Sequence, residues 1–414
     1  PHKNTGHPAQ LRNPVASTND FYLTTGTNFA TAYQANINIC AQCHNHRGAS
    51  YTNNSAPHHS PQYNVLVGRV QENYLPVVTH PHTRISNQCV ACHMPNYAVS
   101  STTNITGHTF EMDVKGCALA GCHTSYSDEA LHLKVEDLAL QESNSIAGLV
   151  SLLNQWAVAK APAILGTTAY NKSLQNSWEF TTIGGLATIT NGGPVGADQM
   201  KLPEAIRKAR FNLYMVYHDG SMGTHNPSYT KLLLADAETN VISQLTDLPS
   251  AFKASTVLGY APLTVQFTNL NGSATGGNWT FGDGGSATGL NPSYVYNTPG
   301  TYTVTFTESG GSTITRTAYI RVRENPVLSL TSDVVTGTAP LTVTFTNTST
   351  GTSDVDWWRY QFNTANSATR LDTPDTVVSY TYTNSGTYSV SLRANMSGGG
   401  NTSITKTNYI IVNP

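Results

Sequence analysis

Cys40-Ala-Gln-Cys43-His44 and Cys89-Val-Ala-Cys92-His93 each set two thiols three positions apart with an imidazole directly after them. That is the attachment spacing for c-type haem. The two sulfurs add across the porphyrin's two vinyl groups, and the following ring is thereby held over the iron as proximal ligand. Cys117-Ala-Leu-Ala-Gly-Cys122-His123 separates its thiols by four residues instead of two. A loop of such small residues still reaches both vinyl positions if it bulges away, so the same chemistry is expected there. The alternatives are a disulfide in each pair or a zinc site built from two pairs, and both leave the adjacent histidines unexplained. Using all six cysteines this way predicts three haem c groups, with His44, His93 and His123 as proximal iron ligands.

The fourteen histidines all fall between His2 and His225, enough to give every iron a second imidazole. His225 stands in Asp219-Gly-Ser-Met-Gly-Thr-His225-Asn226-Pro227, and His108 in Gly107-His108-Thr109-Phe110. These stretches resemble the His-Asn-Pro and Gly-His-Thr-Phe ligand segments of the nitrite-reductase-related multihaem cytochromes, which implies distal ligation by both. His58 and His59, and His80 and His82 ahead of Cys89, are similar to recurring ligand positions. His2 and His7 lie in an amino-terminal arm, Pro1-His-Lys-Asn-Thr-Gly-His7-Pro8. Either the arm is a loose tail, or it reaches a neighbouring copy and ligates that copy's haem. A head-to-tail contact of that kind, if its rotation does not close a ring, generates a filament. Residues 1–250 resemble the extracellular cytochrome filaments, or nanowires, in this respect and in their density of haem motifs.

The rest of the chain must position these groups. Charged residues make up only 11% of it and the net charge is −2, which gives a nucleic-acid partner no electrostatic support. No run of about 20 apolar residues marks a membrane span. The chain opens at Pro1 without an initiator Met, so a processed or trimmed terminus is expected. Up to about Ser125 there is little periodicity, and the porphyrins are expected to supply the apolar core. Between Ser127 and Leu165, Ile146, Leu149, Val150, Leu153 and Trp156 follow a helical stripe. Pro203 and Glu204 open a second helix that Asp219-Gly220 ends. Asn226 as N-cap, with Pro227 at N1, opens a third that runs through Leu245.

After about Ser250 the period changes to alternation, and a repeat appears. Ala261-Pro-Leu-Thr-Val-Gln-Phe-Thr-Asn269 returns as Ala339-Pro-Leu-Thr-Val-Thr-Phe-Thr-Asn347, and Gly300-Thr-Tyr-Thr-Val304 as Gly386-Thr-Tyr-Ser-Val390. Runs of Thr, Val, Tyr and Phe bounded by Gly, Asn and Pro read as short antiparallel strands, hence two β-sandwiches. With Trp279-Thr-Phe-Gly-Asp-Gly284 between its flanks, the first copy resembles the PKD domain, an immunoglobulin-like module. The second keeps the flanks but carries Trp357-Trp-Arg-Tyr-Gln-Phe362 in the middle.

The fold expected is therefore multidomain: a haem-organised, mostly irregular and α-helical cytochrome domain over residues 1–250, then two all-β immunoglobulin-like (PKD-type) sandwiches over 251–324 and 325–414. Irons saturated by two imidazoles leave no open position for substrate, so the expected function is extracellular electron transfer and not enzymic catalysis. Identical subunits in a head-to-tail filament are the expected partners, and the cell surface or exterior the expected location, because c-type haem is attached outside the cytoplasm. Two other functions compete: a multihaem redox enzyme of the nitrite or hydroxylamine class, and a surface adhesin carrying ancillary haems.

Overall fold

The computed structural model describes residues 128–165, 200–396 and 401–414 without interruption; before them it describes only 44, 50–52, 61–68, 75, 76, 78, 80–84, 92, 93, 96–98, 104–106, 114, 117 and 123. The early elements are brief: helix α1 (Gln62–Leu66) and the antiparallel pair β1 (Asn96–Ala98) and β2 (Asn104–Thr106). Three longer helices follow: α2 (Asp128–Leu165), α3 (Glu204–Asp219) and α4 (Pro227–Ser243).

The 38 residues of α2 extend for roughly 57 Å at the usual rise of a helix. Its stripe of Ile146, Leu149, Leu153, Trp156 and Ala157 shares one apolar core with Ile206, Ala209 and Leu213 of α3 and with Leu233, Ala237 and Val241 of α4. The third helix stops two residues short of the expected Leu245: Gln244 and Leu245 close onto Val241 and Ile242 by shorter i to i+3 bonds, while Leu245 stays buried in that turn. Not all of the amino-terminal region depends on porphyrin for packing. Tyr63, Val65, Leu66 and Val67 around α1 are buried, and Leu75 and Val78 pack against the helical core.

The first sandwich faces a three-stranded sheet, β3 (Phe252–Ala254), β5 (Leu263–Asn269) and β8 (Ser293–Tyr296), with a five-stranded one ordered β4 (Leu258–Tyr260), β10 (Thr313–Arg323), β9 (Gly300–Glu308), β6 (Gly277–Thr280) and β7 (Ser286–Thr288). The second repeats this order. Its sheets are β11 (Leu330–Ser332), β13 (Leu341–Asn347) and β16 (Val377–Tyr382), then β12 (Thr336–Thr338), β18 (Asn401–Asn413), β17 (Gly386–Met396), β14 (Val355–Gln361) and β15 (Arg370–Thr373). The wholly antiparallel expectation fails at one place in each copy. β4 runs parallel to β10, and β12 to β18, because the chain crosses from the first sheet to the edge of the other and arrives in the direction of the last strand.

Alternation builds the cores: Tyr302, Val304 and Phe306 of β9 point inward with Val265, Phe267, Trp279 and Phe281. In the second copy Tyr360 and Phe362 take the places of Trp279 and Phe281. Tyr296 donates to the Phe281 carbonyl and Tyr382 to that of Phe362, at 3.1 and 2.9 Å, and the inward stack of Phe281 on Tyr294 is matched by Phe362 on Tyr380.

The sandwiches are fastened to α2. The Gln155 carboxamide donates to the Phe252 carbonyl at 2.9 Å and accepts from its N–H at 3.2 Å, within the buried joint. Asn144 accepts from the N–H groups of Val257 and Leu258, and Glu136 pairs with Arg393 of the second sandwich. Among the described residues no helix is long and apolar enough to cross a membrane.

Candidate functional site

Two pairs of histidines far apart in sequence meet in space. The rings of His93 and His225 have centroids 6.1 Å apart, as do those of His82 and His123. His80 lies beside His82, at 4.4 Å. Cys92 and His93 share one helical turn, and Cys117 is also placed. Cys40, Cys43, Cys89, Cys122, His2, His7, His58, His59 and His108 lie outside the described residues.

The short connection between α3 and α4 organises both pairs. Gly220 ends α3 in the left-handed region at φ 68°, and Gly223 turns the chain again at φ 83°. A side chain at Gly223 would run into Leu138 and Glu142 of α2, so the loop's close approach to that helix requires glycine. Asn226 then caps α4 by accepting from the Tyr229 N–H at 3.1 Å, while its own amide donates to the carbonyls of Val78, at 2.8 Å, and Leu66. One residue thus starts the helix and ties down the segment that leads to His80 and His82. Gly68, at φ 67°, sits where a Cβ would collide with Val78 and crowd Asn226.

Three of the placed rings, His44, His82 and His225, have an oxygen at Nδ1. His82 Nδ1 lies 2.9 Å from the Thr224 carbonyl, and His225 Nδ1 lies 2.7 Å from Asp219 Oδ1. A carbonyl or carboxylate oxygen only accepts, so Nδ1 carries the proton and the lone pair is left on Nε2. His44 Nδ1 meets Gln62 Oε1 at 3.1 Å, and the same amide donates to the His218 carbonyl, which orients its oxygen toward the ring. A donated Nδ1 proton is the usual second interaction of a metal-bound histidine.

The donor set fits haem iron. Two imidazoles on opposite sides of one metal, each with a bond of about 2 Å, have ring centres roughly 6 Å apart, which is the spacing of both pairs. His82 and His80 are suited to ligation in their charge state: burial above all, then neighbouring histidines, holds both pKa values below the ordinary range, so the rings are neutral. The field at His225 is different. Burial disfavours the charged ring, but the Asp219 carboxylate, by its charge and its hydrogen bond, with a smaller part from Glu142, outweighs it and the pKa is raised. Glu142, buried behind the loop, is itself pushed up to about 8 by burial and by Asp219.

His218 packs its ring on Tyr214 and Tyr217, and His132 lies against the arginines of the second sandwich. Asp219, Thr224, Gln62 and Glu142 enter the site without having been singled out for it. Asp219 reads in sequence as a helix stop; Thr224 acts through its backbone, and Gln62 and Glu142 come from other elements, α1 and α2, so the three carry no local signal.

The model of the family described as Cytochrome c552 matches residues 74–266, a little under half the chain, and that of the PKD domain matches 253–322. The chain is a multihaem c-type cytochrome with PKD domains. Its haem is covalently held, as the cytochrome c match implies. The expectation that it is not an enzyme is corrected here. Cytochrome c552 is a nitrite-reductase-type family of multihaem enzymes, and saturation by two imidazoles is an argument only for irons whose two rings are both placed, whereas His44 has no second ring among the described residues.

Among solved structures the cytochrome is similar to the outer cell wall cytochrome OcwA, at 19% identity over 50% of this chain and 34% of that one, with a TM-score of 0.33. It therefore spans about a third of that protein's length. The fibronectin(III)-like modules of Clostridium thermocellum CbhA are similar at 12% identity over 39% of this chain and 95% of theirs, with a TM-score of 0.24. A search of curated proteins finds no match.

Proposed function

We propose that this cytochrome carries electrons outside the cell through three haems, as one subunit of a head-to-tail filament. The carrying observation is that a single loop serves both histidine pairs: Thr224 holds His82, and the next residue, His225, faces His93. In this reading Cys89, Cys92 and His93 with His225 hold one haem, and Cys117, Cys122 and His123 with His82 hold another. Cys40, Cys43 and His44 hold the third, with a distal ring drawn from His58, His59, His108 or the arm residues His2 and His7. Bound there, haem supplies reversible one-electron chemistry. The chain's own residues hold the rings, orient them through Nδ1, and bring two sites to one loop. Attachment of c-type haem outside the cytoplasm and the PKD domain support a surface or extracellular location.

Electron microscopy of the purified native protein tests this. Filaments with a continuous haem chain, lost when His2 and His7 are both replaced, are expected; dispersed single particles would overturn the polymeric reading. A second reading, redox catalysis at one haem, is favoured by the Cytochrome c552 match. Nitrite or carbon monoxide added to the holoprotein decides it, since a spectral shift requires an open iron.

A further inference from the structure

We infer that Asp219 lowers the reduction potential of the haem ligated by His225. The inference rests on the proposed ligation by His225 and concerns what stands behind that ring. The oxygens at Nδ1 of His82 and His44 are neutral, the Thr224 carbonyl and the Gln62 carboxamide. His225 instead donates to a carboxylate, at 2.7 Å. A hydrogen bond to an anion draws the Nδ1 proton away from the ring, makes Nε2 a stronger donor, and so favours the more positively charged, oxidised iron.

Burial strengthens the effect. The Asp219 side chain is fully enclosed, so its charge acts through protein and not through water, where it would be screened. Its second oxygen accepts from Ser221 Oγ, and that hydroxyl in turn accepts from the His225 N–H at 3.2 Å. The carboxylate is thus held in line with the ring by the loop it serves. Asp219 is a positioning residue: it acts on the iron through His225, and sets one site apart from its neighbours by electrostatics where the ligand types are the same.

The test is a spectroelectrochemical titration of the holoprotein. In Asp219→Asn one of the three transitions is expected to rise by about 59 mV, a tenfold change in the reduction equilibrium of a one-electron centre, while the other two hold and the low-spin spectrum is kept. Ser221→Ala gives the opposite sign: with one donor removed, more charge rests on the oxygen facing His225, and the same transition moves down. Damage to the loop would move both variants in one direction and would overturn the inference. So would three unmoved transitions in Asp219→Asn, provided His225→Ala alters the spectrum of one haem. Should His225→Ala leave all three spectra unchanged, the ligation itself is overturned.

Discussion

Arg359 and Arg393 stand directly opposite each other on β14 and β17, in register and each only 2% exposed. Like charges facing across a sheet destabilise it, and acids from two directions offset the repulsion. Asp372 of β15 takes two bonds from Arg359, at 2.8 and 3.1 Å, while Glu136 of α2 pairs with Arg393. The second sandwich therefore draws part of its charge balance from the cytochrome domain.

Replacing Glu136 by Ala leaves Arg393 buried beside Arg359 without that acid. Loss of one partner from a buried pair is worth about 3 kcal/mol. Urea unfolding of the holoprotein should show the shift, with earlier hydrogen exchange in the first turns of α2; an unchanged midpoint would mean that Glu136 does not balance Arg393.

The same contact is acid-sensitive. Burial first, then the fields of Arg359, Arg370 and Arg393, push His132 down to about 4, against an ordinary value of 6.5. Between those values the unfolded chain binds more protons than the folded one, so stability falls as pH drops from about 6.5 toward 4 and is insensitive to this residue above that window. His132→Gln should flatten that acid limb. If the limb keeps its slope in the variant, another group is responsible.

Gln155→Ala removes the amide that satisfies both backbone groups of Phe252. Arg316 still donates to the Phe252 carbonyl, at 2.8 Å, but the Phe252 N–H loses its acceptor inside the joint. A cost of about 2 kcal/mol is expected for an orphaned buried donor, read as a lower melting temperature for the first sandwich. A melting curve that overlays the parent's would show that water replaces the amide.

Among the histidines, His82→Ala and His225→Ala should each open one iron and confer carbon monoxide binding on one haem, and His108→Ala should do so if that ring serves the third site. His80→Ala should not, because His80 lies against His82 and it is His82 that faces His123 at 6.1 Å. Carbon monoxide binding by the His80 variant alone would exchange their roles.

What was legible in the sequence was whatever depends on neighbours along the chain. The stripe from Ile146 to Trp156 and the Asn226-Pro227 cap report local geometry, and the structure contains both. The alternation around Val265 and Phe267 is of the same kind. The parallel edge strands β4 and β12 were not legible, because three residues carry no sign of which sheet they join. Likewise the partners of His44 and His82 come from tertiary folding: Gln62 has no motif, and Thr224 contributes only a backbone oxygen that any residue would supply. Asp219 shares a loop with His225, but its spacing there carries no sign that it meets the ring. Arg359 and Arg393 look in sequence like surface cations; their burial follows from α2 lying over their sheet.

The fastenings along α2 have a mechanical meaning. Glu136 and Gln155 are separated by roughly 28 Å of helix at the standard rise, and each holds a different sandwich. Both sandwiches thus lean on one helix, in addition to the chain that joins α4 to β3. The same helix backs the loop that holds His225, so one element carries the sandwiches at its side and the histidine loop along its length, like brackets on a beam.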